Sequence, residues 1–297
     1  MQFGKVPNPE KIDFTLPSDH PKTEEILETK EPYRELSVFV GCAKWNKQDL
    51  KGFYPRGTKD ELIYYAKQFN CIELNATFYR NFSADQFATW YDKTPPDFKF
   101  FPKLLRNISH IKRLNEDVQP IVDDYLSNAI HLKEKLGTLF LQMHANFSPK
   151  DMNRVKRFVK LWPENIRLAI ELRHTDWYND PKIAEELFSL FEQYNIATVL
   201  TDSAGRRDLL HMRLTNNEAF IRYVGTNHPS DYDRLAEWVE RLKIWKNQGL
   251  KRIHFFVHQN TEKESPLLSG YFIKLLNKEL GTDLKIPSQK IDTPTLF

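Results

Sequence analysis

Apolar positions along the chain gather into short runs separated by longer amphipathic stretches. Strand-like runs begin near Ser37 (SVFVGC), Cys71 (CIELNA), Phe98 (FKFFPK), Thr138 (TLFLQMH), Arg167 (RLAIELR), Ile196 (IATVLTD), Ala219 (AFIRYVG) and Arg252 (RIHFFVH). They start about 31 residues apart on average, the length of one strand plus one helix. Helical periodicity fills most gaps, over 58–69, 83–93, 117–136, 151–162, 181–194, 230–248 and 266–280. Thr58 and Ser83 stand where N-caps belong, and Gly249 and Gly281 stand where helices should stop. The gap over 203–217 is short, so its helix should be irregular or missing. Strands alternating with helices predict a parallel sheet. An open doubly wound sheet is one solution. A single-domain α/β fold of the TIM-type (β/α)8 barrel over 37–281 fits count and length better, since such barrels take about 250 residues. Residues 1–36 are polar and punctuated by proline, and read as an extended arm with a short helix near 22–30. Residues 282–297 read as a tail.

Within each strand, alternate residues face opposite sides. In the second run Ile72 and Leu74 share one face, while Glu73 and Asn75 share the other. In the fifth, Leu168, Ile170 and Leu172 oppose Ala169, Glu171 and Arg173. The apolar faces should meet helices, which turns the polar faces into the barrel. The same parity brings Lys103, Gln142, His144, Arg222, His258 and Asn260 inward, and Asp202 closes the sixth run. These groups cluster at the C-terminal strand ends, where barrel enzymes carry their active sites. A purely structural role as internal salt bridges, Glu73 with Lys103 for example, is the alternative. It accounts less well for a polar group at nearly every strand end, because unpaired buried charge is costly.

Composition narrows the chemistry. Only 10 of 297 residues are glycine, which disfavours glycine-rich phosphate loops, and the nucleotide, esterase and zincin motifs are absent. A balance of 43 basic against 40 acidic residues gives no broad footprint for a polyanion. Cys42 and Cys71 are too few for a disulfide framework or a four-cysteine zinc site, and both lie in apolar runs, so buried free thiols are expected. No secretory signal and no apolar run long enough to cross a membrane is visible, so the expected location is cytoplasmic with no membrane partner. The strand-end inventory leans cationic: Lys103, Arg173 and Arg222, with Arg80 nearby, face Glu73, Glu171 and Asp202. His110, His144, His174 and His258 add charge when protonated. Arginine pairs with carboxylate or phosphate, so a small anionic ligand is expected. Trp45, Tyr79 and Trp177 follow strands and can stack on a sugar or base, or simply pack.

At these residues the chain resembles a known family. VGCAKWNKQDLKGFYP, FNCIELNATFYR and TPPDFKFFPKLLRNISHIKRL, continued by KEKLGTLFLQM and LAIELRHTDWYN, look like the domain-of-unknown-function-72 (YecE-like) proteins, from about Val38 to Asn260. The resemblance implies a TIM-type barrel and, because the family has no established activity, positions rather than a reaction. Those positions are Trp45, Tyr54, Pro55, Glu73, Asn75, Phe78, Tyr79, Lys103, His110, Gln142, Glu171, Arg173, His174, Trp177 and Arg222. The chain departs from the family pattern in three places. Met143-His144 follows Gln142 where Leu-Pro is usual, Arg222-Tyr223-Val224-Gly225 lacks a histidine, and the last strand ends Val257-His258-Gln259-Asn260 instead of a paired asparagine.

Three function classes remain open on sequence. The leading expectation is an enzyme, a hydrolase or lyase, acting on a phosphorylated or carboxylated substrate. Glu73 or Glu171 would serve as general acid or base with a pKa raised by burial, and Lys103, Arg173 and Arg222 would stabilise charge. Lys103 can alternatively form a Schiff base. Trp45, Asn75, Tyr79, His110, Gln142, Arg173, His174, Trp177, Arg222, His258 and Asn260 would bind substrate. The second class is metal-assisted chemistry on Glu73, Glu171, Asp202 and His258. The cations on the same rim disfavour a divalent metal, and no cofactor is expected. The third is a ligand- or nucleic-acid-binding module, for which nucleic acid is disfavoured by the charge balance.

Overall fold

The computed structural model describes residues 5–28 and 35–288. Eight strands form where apolar runs begin: β1 (Ser37–Cys42), β2 (Cys71–Leu74), β3 (Lys99–Pro102), β4 (Leu139–Gln142), β5 (Leu168–Glu171), β6 (Ala197–Ser203), β7 (Glu218–Gly225) and β8 (Arg252–Gln259). Six of them pair in parallel in the order β1-β8-β7-β6-β5-β4, and β2 pairs in parallel with β3. The result is a mixed α/β fold whose parallel sheet curls into a half-barrel, with the shorter pair beside it. Two parallel bridges, Phe100 with Leu136 and Lys103 with Phe140, join β3 to the neighbourhood of β4. Between β1 and β2 the ladder is replaced by side chains. Asn70 donates to Val38 O at 2.7 Å and accepts from Val40 N at 3.1 Å. The Tyr65 hydroxyl accepts from Cys42 N at 2.8 Å and donates to Cys71 O at 3.1 Å. Gly41 lets the two backbones approach, since a Cβ there would lie 2.3 Å from Cys71 O.

The helices are α1 (Pro21–Leu27), α2 (Glu61–Ala66), α3 (Ala76–Tyr79), α4 (Ala84–Asp92), α5 (Gln119–Ala129), α6 (Met152–Leu161), α7 (Asp176–Asn179), α8 (Pro181–Gln193), α9 (Ser230–Gln248) and α10 (Ser265–Leu280). Ser83 caps α4 through Gln86 N at 3.4 Å, and Gly249 and Gly281, at φ 122° and 68°, stop α9 and α10. The Thr58 cap is corrected. Its hydroxyl is spent on Pro55 O at 2.8 Å, and Asp60 caps α2 through Ile63 N at 3.1 Å. Between β6 and β7 only a 3-10 turn forms, Arg207–Leu209, as the short gap implied.

Strand parity sorts the core into two compartments. Outward residues such as Leu74, Leu141, Ile170 and Ile221 pack under the helices. Inward residues form a separate aromatic layer of Phe101, Phe140, Phe220 and Phe256 with Ala169, Ala197, Val199 and Cys71. The arm is docked, not loose. Leu16 and Leu27 are buried, Trp245 donates to Asp19 at 3.0 Å, and the Phe14 ring lies 4.1 Å from the Arg234 guanidinium. Residues 1–4 and 29–34 of the arm, including the end of its expected helix, and residues 289–297 of the tail lie outside the described residues.

Candidate active site at the strand ends

Above the aromatic layer one guanidinium ties three strands together. Arg222, on β7, donates two parallel hydrogen bonds to Glu73 of β2, Nε to Oε2 and Nη2 to Oε1, both at 2.9 Å. Its Nη1 donates to Glu171 of β5, also at 2.9 Å. These are the bidentate, charge-assisted contacts at which arginine excels. Around this hub, Arg173 Nε donates to Glu171 at 2.5 Å, and Asn75 Nδ2 donates to Glu73 at 2.7 Å. His258 Nε2 lies 3.1 Å from Glu73 Oε2. Gln142 links the two halves: its Nε2 donates to Glu171 at 2.9 Å while its Oε1 accepts from Lys103 Nζ at 2.8 Å. Parity places these groups together, and α3 begins directly after Asn75, which folds that amide back onto Glu73.

Lys103 is held differently from the arginines. It is buried, its Nζ has one oxygen partner among the described residues, and it sits 4.3 Å from the Phe78 ring centroid and 5.7 Å from that of Phe140. Burial, then the charge of Arg222, pulls its pKa down to about 7, against the opposing pull of Glu171 and Glu73. The carboxylates go the other way. Burial alone would push them up, but Arg222 and His258 outweigh it at Glu73 and hold that group well below the usual range. At Glu171, Arg173 and Arg222 bring the value to about 2 against the same burial. The expectation that burial raises a glutamate into an acid–base role is therefore corrected for both residues: at neutral pH each is a fixed carboxylate.

Other expected residues are spread around this centre. His110 stands in a π-helical turn, Asn107–Ile111, edge-on to Phe78 at 5.0 Å and to His144 at 5.3 Å. Burial, then the neighbouring His144 ring and the Lys103, Arg173 and Arg106 side chains, lower its pKa to about 4. Tyr79 is 78% exposed on the rim beside Phe78. Trp45 is half-buried and packs edge-on against Trp90 at 5.8 Å. His174 is half-buried and accepts from Asp176 N at 3.3 Å, and Asn260 follows β8 as a half-buried residue. Arg80 is exposed over Phe82, apart from the hub. Trp177 is a correction. It has no exposure, stacks on Phe147 and donates its indole N–H to Phe147 O at 2.7 Å, so it is core and offers no face to a ligand.

Asp202 is also corrected. It points away from the hub, accepting from Arg234 Nη2 and Trp238 Nε1 of α9, both at 2.8 Å. The inward neighbour is Thr201, paired in register with Arg222, and its buried hydroxyl has no hydrogen-bond partner among the described residues. Sequence reasoning missed Thr201, although parity with Ala197 and Val199 pointed to it. Among the described residues no three His, Cys, Asp or Glu side chains gather where a metal ion could be held, and no helix is long and apolar enough to cross a membrane. Both cysteines are free and buried.

The comparisons agree with this architecture. Residues 39–291 match the family model described as protein of unknown function DUF72. The chain is similar to the UPF0759 protein YecE of Escherichia coli K12, 24% identical over 85% of this chain and 98% of that protein. It is also similar to the UPF0759 protein YunF of Bacillus subtilis 168, 23% identical over 64% of this chain and 71% of that one. Two solved structures share its fold. A DUF72 family protein of Enterococcus faecalis V583 aligns at TM-score 0.66 with 16% identity, covering 82% of this chain and 99% of that one. A DUF72 family protein of Thermotoga maritima MSB8 aligns at 0.59 with 21% identity, covering 81% and 99%. With the family model spanning most of its length, this chain belongs to the DUF72 family.

Proposed function

We propose that the chain is an enzyme that binds a small anionic carbonyl compound at the C-terminal strand ends and attacks it with the Lys103 amine. In this reading the half-barrel and the β2–β3 pair act as one (β/α)8 barrel, closed at the β1–β2 seam, in a reducing cytoplasm where both thiols stay free. The observation that carries it is the setting of Lys103: a buried amine with one oxygen partner, pressed between Arg222 and two aromatic rings. A lysine titrating near neutrality supplies free amine without a separate base.

The amine adds to the carbonyl carbon, and the carbinolamine takes up a proton and loses water, leaving an iminium. The iminium then accepts the electron pair of the adjacent carbon–carbon bond, whose far carbon leaves as an aldehyde once its hydroxyl has given its proton to water. Protonation of the enamine and addition of water then release the product and restore the amine, which is the lyase half of the reaction. Glu73 and Glu171, fixed as carboxylates, balance the iminium charge and hold Arg222 and Arg173 in place. Arg173 and Arg222 present positive charge to the anionic end of the substrate.

Borohydride trapping tests this reading. The full chain is incubated with pyruvate or dihydroxyacetone phosphate, reduced, digested and analysed by mass spectrometry. A secondary-amine adduct is expected at Lys103 and absent from Lys103→Met, with a yield that rises with pH through a midpoint near 7. No adduct at Lys103 with either probe removes the proposal.

A further inference from the structure

The mouth beside Lys103 contains a histidine that the hub does not use. His144 follows Gln142 by two residues, just past the end of β4, and it is half-buried. Its Nδ1 accepts from Asn146 N at 3.1 Å, so in the neutral ring the proton must sit on Nε2. No acceptor among the described residues engages that Nε2–H. Facing it is His110, whose ring centroid lies 5.3 Å away at an interplanar angle of 84°. The His110 Nδ1 lies 2.9 Å from Ser109 Oγ, and that hydroxyl also donates to Leu105 O at 3.2 Å. With its hydrogen given to Leu105, the serine oxygen accepts from His110 Nδ1–H, which leaves a lone pair on His110 Nε2. The two imidazoles, in edge contact just past β3 and β4, therefore offer one donor and one acceptor side by side.

The strongest charged neighbours of this pair are positive. Lys103 and Arg106 lie on the β3 side, Arg113 reaches His110 O with its Nε at 3.2 Å, and Arg173 comes from β5. The backbone is strained at the same place. A π-helical turn carries His110, and Arg113 and Leu114 follow with φ of 47° and 55°. Strained backbone and π-turns concentrate at functional sites. A carboxylate supplies acceptors only. A phosphoryl group supplies several acceptor oxygens and, with a second pKa of about 6, a proton to share. Donor, acceptor and surrounding positive charge together fit the second and not the first.

We propose that His144 and His110 form a phosphoryl subsite, with Lys103 and Arg173 at its base, and that His144, donating to a third phosphoryl oxygen that a carboxylate lacks, is the residue by which this chain selects a phosphorylated ligand over a carboxylated one. The inference rests on the strand-end anion site proposed above, but it does not need the amine chemistry. It narrows the substrate class to phosphomonoesters.

Calorimetric titration of the full chain at pH 7 with inorganic phosphate, and separately with acetate, tests it. The variants are His144→Leu, which removes the donor, and His144→Gln, which keeps a neutral donor, each checked for an unchanged thermal transition. The wild-type chain is expected to bind phosphate more tightly than acetate. His144→Leu should weaken phosphate about tenfold or more, the loss of a hydrogen bond to a charged group, and acetate by less than twofold. His144→Gln should keep phosphate within about threefold of wild type. Equal losses for the two anions, or no change for phosphate in His144→Leu, overturn the inference. Binding of neither anion by the wild-type chain overturns both this subsite and the anionic-substrate reading. Phosphate binding with the expected His144 pattern, but without a borohydride adduct, keeps the subsite and removes only the amine.

Discussion

At the scale of single residues, Arg222 decides the character of the site. Two buried carboxylates from opposite strands would repel each other and resist burial. One guanidinium bonds both, and it is in turn held by them. Three cations, Lys103, Arg173 and Arg222, stand against two carboxylates, Glu73 and Glu171, and the lysine, with one oxygen partner, is the member able to give up its charge. That division of labour makes an immediate prediction. Arg222→Met fills a similar volume but leaves Glu73 without its bidentate partner and Glu171 with Arg173 and the neutral Gln142 amide. Urea unfolding at pH 7 should show a loss of about 3–5 kcal/mol, the range for stripping one partner from a buried charge network. A loss under about 1 kcal/mol would mean that solvent, rather than Arg222, balances the two carboxylates.

At the scale of elements, the seam between β1 and β2 shows how a sheet continues where backbone pairing stops. Asn70 uses its amide as a two-pronged substitute for a neighbouring strand, and the Tyr65 hydroxyl bridges the next pair of groups. Removing the amide with Asn70→Ala orphans Val40 N and Val38 O, which are partly or fully buried, so a loss of about 1–3 kcal/mol is expected in the same unfolding measurement. Little of this seam was visible beforehand, because a period-2 pattern reports where strands lie and not which neighbours they bond. What the pattern did carry was the strands, most of the helices and the inward residues: Glu73, Lys103, Gln142, Glu171 and Arg222 meet because each occupies the same parity near a C-terminal strand end. At the sixth strand charge and parity point to different residues, and parity decides. Asp202 faces α9 and Thr201 faces the hub. Trp177 looked like a rim aromatic, yet α7 turns it into the core. The direction of the carboxylate shifts was hidden for a different reason. It is the difference between burial and close cationic contacts, Arg222 with His258 at Glu73 and Arg173 with Arg222 at Glu171, whose closeness arises only when distant strands meet.

At the scale of the whole molecule, the inward residues form a stack rather than a channel. The strand-end hub lies on one side of the aromatic layer, in which Phe101 and Phe220 flank Phe256 at 5.0 and 5.1 Å. On the other side another buried carboxylate, Glu218, accepts from Thr138 at 3.1 Å and Arg252 at 3.2 Å. It lies 3.2 Å from His254 Nε2 and 3.3 Å from Arg167 Nε. Burial raises its pKa, and His254, Arg167 and Arg252 more than reverse that, to about 2, the same value as Glu171 above the layer. A carboxylate whose folded pKa is depressed stabilises the fold above its unfolded pKa, near 4.5, and loses that contribution as pH falls toward 2. Each shift corresponds to about 3 kcal/mol at neutral pH. Glu171→Gln and Glu218→Gln should therefore each destabilise at pH 7 by that order, and each deficit should shrink as pH falls from 4.5 to 2, where the wild-type carboxyl is itself protonated. Among the described residues the two carboxylates bond different side chains, Gln142, Arg173 and Arg222 for Glu171 and Thr138, Arg252 and His254 for Glu218, and they are separated by packed phenylalanines. The double variant should thus equal the sum of the singles within about 0.5 kcal/mol. Coupling well above that would mean that the aromatic layer transmits strain between the two polar ends, and that the base of the sheet helps set the geometry of the site at its mouth.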